Sequence, residues 1–194
     1  MTTAVAVDAH REAGPHTLRR HGRTAAGDRC RLARLRDAHR PRPIPDPALA
    51  LIGQGVTVVA ATRDAAMRPH IARAWGPEVL GERGPLRLCI EASERSATAQ
   101  NLVERPEIAA TFTRPSTYQS VQLKGLTLEV RPPTDDELGL VDEHQAAFAA
   151  EVEKVGIQLR LVPRLLDRSS LVSVSIAVDE LYDQTPGRAA GTPL

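Results

Sequence analysis

The spacing of apolar residues from residue 47 onward predicts short strands separated by clear turn signals. The β-branched run VTVVAAT at 56–62 is typical of a buried strand. Strands are also predicted at 68–75, 86–91, 107–113, 118–130 and 171–178. Because only a short turn at 63–67 separates the first two, we expect them to form a hairpin.

Helical periodicity appears in three places. Residues 47–54 predict a short helix with proline in its first turn and Gly53 and Gly55 at its end. Residues 96–104 predict a second, which Ser93 or Ser96 caps and which ends at Arg105-Pro106. A long helix follows Thr134, whose capping box with Glu137 precedes a shared apolar face of Leu138, Val141, Phe148 and Val152.

These elements predict a mainly β, α+β domain: an antiparallel barrel with helices packed outside it. We assign the barrel domain to residues 46–187, with a tail at 1–45 and a short C-terminal tail at 188–194. Residues 158–168 fit either a helix or irregular structure, and the Gly- and Pro-rich segment 184–194 is expected on the surface.

The formal net charge of +1 hides an uneven distribution. Residues 1–45 hold ten arginines against four acidic residues, and four of the six histidines also lie there. This segment ends in RPRPIPDP, which neither helices nor strands accommodate well. We therefore expect a disordered basic tail, with a short helix over 29–38 as its only candidate element.

Three interpretations of this tail remain open. Arginine-rich arms bind nucleic acid electrostatically, and Arg-rich amphipathic segments also serve as transit peptides, although four acids count against the latter. The third interpretation, an extension without a function of its own, is favoured because arginine outnumbers lysine along the whole chain. Nucleic acid is thus not the expected partner.

Composition excludes several other classes. Aromatic residues make up only 3%, too few for a base-stacking surface that binds single-stranded nucleic acid. No apolar run reaches the roughly 20 residues of a membrane-spanning helix. The two cysteines, Cys30 and Cys89, are far apart and outside any CxxC spacing, which argues against a zinc site and favours a reducing, cytoplasmic setting.

Motifs of common enzyme classes are missing from the sequence. It contains neither GxGxxG nor GxxxxGK[ST], and neither HExxH nor GxSxG. Outside the tail the histidines are His70, in a predicted strand, and His144, on the expected polar side of the long helix. Both are expected to be solvated rather than catalytic, and no metal site is predicted.

An ordered series of phrases resembles the pyridoxamine 5′-phosphate oxidase-like, FMN-binding split-barrel superfamily over roughly residues 47–187. The series consists of ATRD at 61–64 followed by Arg68-Pro69 and Arg73, SATAQNL at 96–102, RPEIAATF at 105–112, YQSVQLKG at 118–125 and LYDQTPG at 181–187. The resemblance implies a homodimer that binds FMN between its subunits and acts on a small-molecule substrate.

The resemblance also implies which residues hold the cofactor. Ser96 matches a helix-opening serine near the FMN phosphate, but Ala97 and Thr98 stand where a basic pair is usual. Arg73 and Arg95 are the nearby cations expected to take over that charge. In the strand at 118–125, alternation places Ser120, Gln122 and Lys124 on one face, which by resemblance approaches the flavin ring or the substrate.

Several of these residues have a purely structural alternative. The polar face of the 118–125 strand is equally consistent with a solvated surface, and Gly125 indicates a close backbone approach. Trp75 shares a strand face with Arg73 and is either an aromatic wall of the cofactor pocket or a core or interface residue. Arg114 and Tyr118 flank a turn, where a surface position is the default.

Two functional hypotheses follow. The first is an FMN-dependent oxidoreductase or flavin-binding protein, in which the flavin supplies the redox chemistry. The alternative is a non-catalytic barrel dimer that binds haem, a deazaflavin or no cofactor. In the haem version, His70 is the expected axial ligand.

Overall fold

The computed structural model describes residues 42–194 except 83, 94, 95, 159, 161, 163 and 164. The elements are α1 (Asp46–Ile52), β1 (Thr57–Arg63), β2 (Pro69–Val79), β3 (Leu86–Glu91), α2 (Ala97–Glu104), β4 (Glu107–Thr113), β5 (Ser120–Arg131), α3 (Asp135–Glu153), a 3-10 turn (Arg168–Ser170) and β6 (Leu171–Asp183). The strands close into a barrel in the order β1-β2-β3-β6-β5-β4, and every neighbouring pair is antiparallel. The predicted barrel with flanking helices is confirmed.

Alternation along the strands fills the barrel interior. In β1 and β4 every second residue is buried, and the inward-facing positions carry aliphatic side chains around Phe112. Because the sequence has few aromatic residues, this core consists mainly of valine, leucine, isoleucine and alanine. Leu88, Ile90, Leu123 and Ile176 are fully buried in it.

The long helix α3 covers the outside of β2 and β3 and forms a second core. Val141, Phe148 and Val152 pack there against Trp75 and Cys89. Burial raises the pKa of the Cys89 thiol to about 11, so this cysteine is a protonated core residue.

The helix begins at the predicted capping box of Thr134 and Glu137. Burial opposes ionisation of Glu137, but hydrogen bonds from Arg131 and the Thr134 amide outweigh it and lower its pKa to about 2. The charged Glu137 therefore fastens the start of α3 to β5.

The helix α2 packs against β1, β2 and β5 and is tied to β1 by a buried hydrogen bond. The Asn101 amide donates to the hydroxyl of Thr62 over 3.0 Å, and Leu102 is buried in the barrel core. The Ser96 hydroxyl accepts from the amide of Ala99 at 3.1 Å, which confirms Ser96 as the helix cap.

The two ends of the described chain pack on the barrel. Residues 42–45, assigned above to the basic tail, belong to the folded domain, because the Arg42 amide donates to the Val178 carbonyl at 2.7 Å and Ile44 is fully buried. Residues 1–41, and with them the predicted disorder, lie outside the described residues. At the other end, Pro193 forms a β-bridge with Tyr182, so the 188–194 segment folds back along β6.

Two further sequence-based expectations need correction. The final strand continues to Asp183 rather than ending at Val178. His144 is 7% exposed rather than solvated, because it lies on the side of α3 that packs against β2. Among the described residues, no helix has the length and the hydrophobicity that crossing a membrane requires.

Candidate functional site

The outer face of β2, β1, β4, β5 and β6 presents two adjacent rows of side chains. Strand register places Ile71, Ala61, Ala109, Lys124 and Glu180 side by side in one row. The two alanines form a shallow floor between larger neighbours on either side.

The second row lies two residues along each strand. It consists of Arg73, Val59, Thr111, Gln122 and Tyr182. Since α3 covers β2 and β3 further along the barrel, both rows lie on the part of the wall that α3 leaves open.

An open groove of about 410 Å³ crosses this face, which is within the size range of small-molecule sites. Its floor is apolar and its margins are charged. The groove is lined by Ala61, Thr62, Arg63, Glu107, Ile108, Ala109, Lys124, Gly125, Leu126, Asp179 and Glu180.

One margin of the groove is the ion pair of Arg63 and Glu107. The Arg63 guanidinium donates to Oε1 of Glu107 at 3.1 Å. The second oxygen, Oε2, is buried and has no hydrogen-bond partner among the described residues. Because the Glu107 side chain is 42% exposed, a small rotation would bring this unpaired oxygen to the groove, where it is suited to accept an N–H from a ligand.

The opposite margin is formed by Lys124 and Glu180, which contact Tyr182 of the second row. The Lys124 ammonium lies 3.6 Å from Oε2 of Glu180 and 4.6 Å from the centre of the Tyr182 ring. The Tyr182 hydroxyl donates to the same carboxylate oxygen at 2.5 Å. This hydrogen bond lowers the pKa of Glu180 and raises that of Tyr182, so the carboxylate stays ionised beside the ammonium.

The three predicted site residues of β5 do not share one environment. Lys124 lines the groove, and Gln122 lies next to it on the same face, where its amide donates to the Thr111 hydroxyl at 3.1 Å. Ser120 is buried instead, hydrogen-bonded to Thr113 and to Thr185 of the C-terminal segment. Its hydroxyl is therefore removed from the groove by chain that folds over it.

The predicted residues on β2 and α2 lie apart from the groove. Arg73 is exposed in the second row and lies within electrostatic reach of Glu91. Trp75 shares its face but lies in the core under α3, where its Nε1–H donates to Glu91 at 2.7 Å. The structure therefore places Trp75 at the core position that the sequence left open, rather than in a pocket wall.

Among the described residues, the N-terminus of α2 offers a phosphate group little compensating charge. The hydroxyl of Ser96 is already used as the helix cap, and Ala97 and Thr98 bring no charge to the first turn. Arg95, the remaining predicted cation, lies outside the described residues. The described residues therefore fit the ring of a flavin better than its phosphate.

His70, Arg114 and Tyr118 were also considered from the sequence, and none of them lines the groove. His70 is opposite Thr62 in the hairpin register, on the inward side of β2, and so does not face the groove. Arg114 donates to the buried Glu151 at 3.2 Å and fastens the β4–β5 turn to the end of α3. Tyr118 is exposed in that turn with φ 58°. The described part of the chain contains no group of three potential metal ligands.

Of the charged residues that line the groove, four were not predicted as site residues from the sequence: Arg63, Glu107, Asp179 and Glu180. Alternation in the 107–113 segment places Glu107 on the same face as Ala109, so Glu107 could have been predicted from the sequence. Glu180 and Asp179 were missed because the last strand was predicted to stop before them.

Comparison with solved structures gives weak similarities to several proteins. An F420 reductase aligns with 13% identity over 71% of this chain and 98% of its own, with a TM-score of 0.47. A pyridoxamine 5′-phosphate oxidase-related, FMN-binding protein from Nostoc punctiforme aligns with 15% identity over 70% of this chain and 77% of its own, with a TM-score of 0.39.

A haem-binding protein from Mycobacterium smegmatis aligns with 20% identity over 74% of this chain and 55% of its own, with a TM-score of 0.43. No model of a known protein family matches the chain, and no curated protein matches it.

Proposed function

We propose that this protein binds a flavin-type ring, that of FMN or of a deazaflavin, in the groove on the outer face of its barrel, and that it acts as an oxidoreductase. The observation that supports this most directly is the pairing of an alanine floor with charged margins. A flat ring system packs on small side chains, and its polar edge needs partners.

The chemistry of the margins matches that polar edge. Flavins and deazaflavins share an imide, in which an N–H lies between two carbonyl groups. The unpaired Oε2 of Glu107 is an acceptor for the N–H, while Arg63 and Lys124 are donors for the carbonyl oxygens. Bound in this way, the cofactor would supply hydride or electron transfer, and the protein would hold the ring and tune its charge.

We further propose that two copies of the chain pack through this face. Ile71 is 73% exposed at the end of the row that continues into Ala61 and Ala109, and the groove is open on the same side. A second copy would cover this apolar row and close the groove over the ring. The small-molecule substrate would then enter between the subunits.

The proposal is tested by measuring cofactor binding. Protein purified without added cofactor is examined by visible absorption and then titrated with FMN and with F420, following ligand fluorescence. We expect saturable binding of at least one of them. Failure of the protein to take up either would contradict the proposal, and a Soret band would support the haem alternative instead.

The position of the ring is tested by the variant Ala109→Leu, which fills the floor of the groove. We expect it to weaken binding at least about tenfold, or about 1.4 kcal/mol. Ala146→Leu is the matched control because Ala146 is exposed on α3, outside the groove. Equal affinity of the two variants would place the ring elsewhere.

A further inference from the structure

The cluster of Lys124, Glu180 and Tyr182 has a more specific arrangement than cofactor binding alone requires. Lysine has a long flexible side chain whose ammonium is ordinarily free to move in solvent. Here the ammonium lies over the Tyr182 ring at 4.6 Å and beside Glu180 at 3.6 Å. The tyrosine hydroxyl holds the carboxylate in turn at 2.5 Å.

This arrangement fixes a charge at the edge of the groove. Lys124 is the register partner of Ala109, so its backbone lies next to the alanine floor, while its ammonium is held on the β6 side by Glu180 and Tyr182. Both members of the ion pair line the groove, and each is about half exposed, so a ring on the floor would lie beside both charges. A nearby positive charge favours the reduced, anionic form of such a ring, and a negative charge disfavours it.

We propose that Lys124 and Glu180, which Tyr182 helps to hold at the edge of the groove, set the reduction potential of the bound ring in opposite directions. This inference rests on the proposed function. It adds that the positive charge of Lys124 raises the reduction potential of the ring and that the negative charge of Glu180 lowers it. An ion pair with a purely structural role would not affect the potential.

The test measures the midpoint potential of the bound flavin by dye equilibration, together with its dissociation constant in the oxidised form. Lys124→Met keeps the length of the side chain and removes the positive charge. We expect it to lower the ratio of affinities for reduced and oxidised flavin about tenfold, which lowers a two-electron potential by about 30 mV. Glu180→Gln should raise the potential by a similar amount.

Glu143→Gln is the control for a general change in net charge, because Glu143 is exposed on α3. It should leave the potential unchanged. Opposite shifts in the two groove variants support the inference. Shifts of the same sign, or no shift with flavin still bound, overturn it and leave the proposed function intact. If the wild-type protein binds neither FMN nor F420, both are overturned.

Discussion

His144 is a buried histidine whose role is to join α3 to the barrel. Its Nδ1 accepts a hydrogen bond from the Gly76 amide at 3.3 Å, and its ring meets Trp75 edge-on with centroids 5.8 Å apart. Burial lowers the pKa of His144 to about 4, so the imidazole is neutral near neutral pH. Protonation would turn the accepting nitrogen into a donor and break the bond to Gly76.

The folded protein should therefore lose stability on mild acidification. In the unfolded chain the histidine binds a proton below about pH 6.5, whereas in the folded chain it binds one only near pH 4. The free energy of unfolding should fall by about 2 kcal/mol between roughly pH 7 and pH 5 from this residue alone. Urea unfolding at both pH values measures the effect.

The variant His144→Gln isolates this contribution because the glutamine oxygen is able to accept from Gly76 without titrating. We expect its free energy of unfolding to depend less on pH than that of the wild type over this interval. Glu137 has a pKa of about 2 and does not titrate there. An equal pH dependence in the two proteins would show that His144 does not cause the loss.

Alternation predicts which face of a strand a residue occupies, but not what covers that face. It correctly assigned Gln122 and Lys124 to a common outer face. Ser120 belongs to the same face by register, yet the C-terminal segment buries it. Trp75 is buried for the same reason, since α3 lies over it. Contacts with segments that are distant in the sequence do not affect the alternation of apolar and polar residues within a strand. The sequence therefore left the roles of both residues open.

At the scale of elements, the pairing of β5 with β6 depends on Gly125. The register shifts between Lys124 and Gly125, and a Cβ at position 125 would lie 1.9 Å from the carbonyl oxygen of Ala177. The close backbone approach predicted from the sequence is therefore present. Any side chain at this position would force the two strands apart beside the groove.

Gly125→Ala should destabilise the protein by about 1–3 kcal/mol, the usual cost of overpacking. Gly139→Ala is the matched control, because Gly139 lies in α3 with open space around its missing Cβ. It should stabilise the protein by roughly 0.5–1 kcal/mol, since alanine is the better helix former. Chemical denaturation measures the free energy of unfolding of both variants. Destabilisation by both substitutions would contradict the claim that the close approach to Ala177 causes the loss at Gly125.

The ends of elements were predicted best where local chemistry determines them. The capping box of Thr134 and the cap at Ser96 start α3 and α2 where the sequence indicated. The end of β6 was placed too early because its last residues, from Asp179 to Asp183, include three acidic residues and only one aliphatic residue, Leu181. They remain in the strand because β5 pairs with them, and Pro193 adds a bridge to Tyr182.

At the scale of the whole molecule, the barrel leaves a distinctive part of its wall uncovered. The helix α3 buries the outer side of β2 and β3 around Trp75 and Cys89, whereas β1, β4 and β5 present the alanine floor and the groove. The sequence predicted the strands and the barrel, but the groove depends on strand order: β4 lies between β1 and β5 although β2 and β3 follow β1 in the chain.

If this uncovered wall is a contact between two copies, a charge placed in its apolar row should separate them. Ile71→Asp puts a carboxylate at the most exposed position of that row, where a subunit contact would have to desolvate it. We expect the wild type to sediment as a dimer and this variant as a monomer in analytical ultracentrifugation.

Ile157→Asp makes the same chemical change at an exposed position after α3, away from the groove, and should remain dimeric. Because the proposed subunit contact also closes the groove, Ile71→Asp should bind FMN or F420 more weakly, although Ile71 does not line the groove. A monomeric wild type, or dissociation by both substitutions alike, would contradict a contact through this face. Loss of the dimer with unchanged cofactor affinity would show that one copy of the groove suffices for the ring.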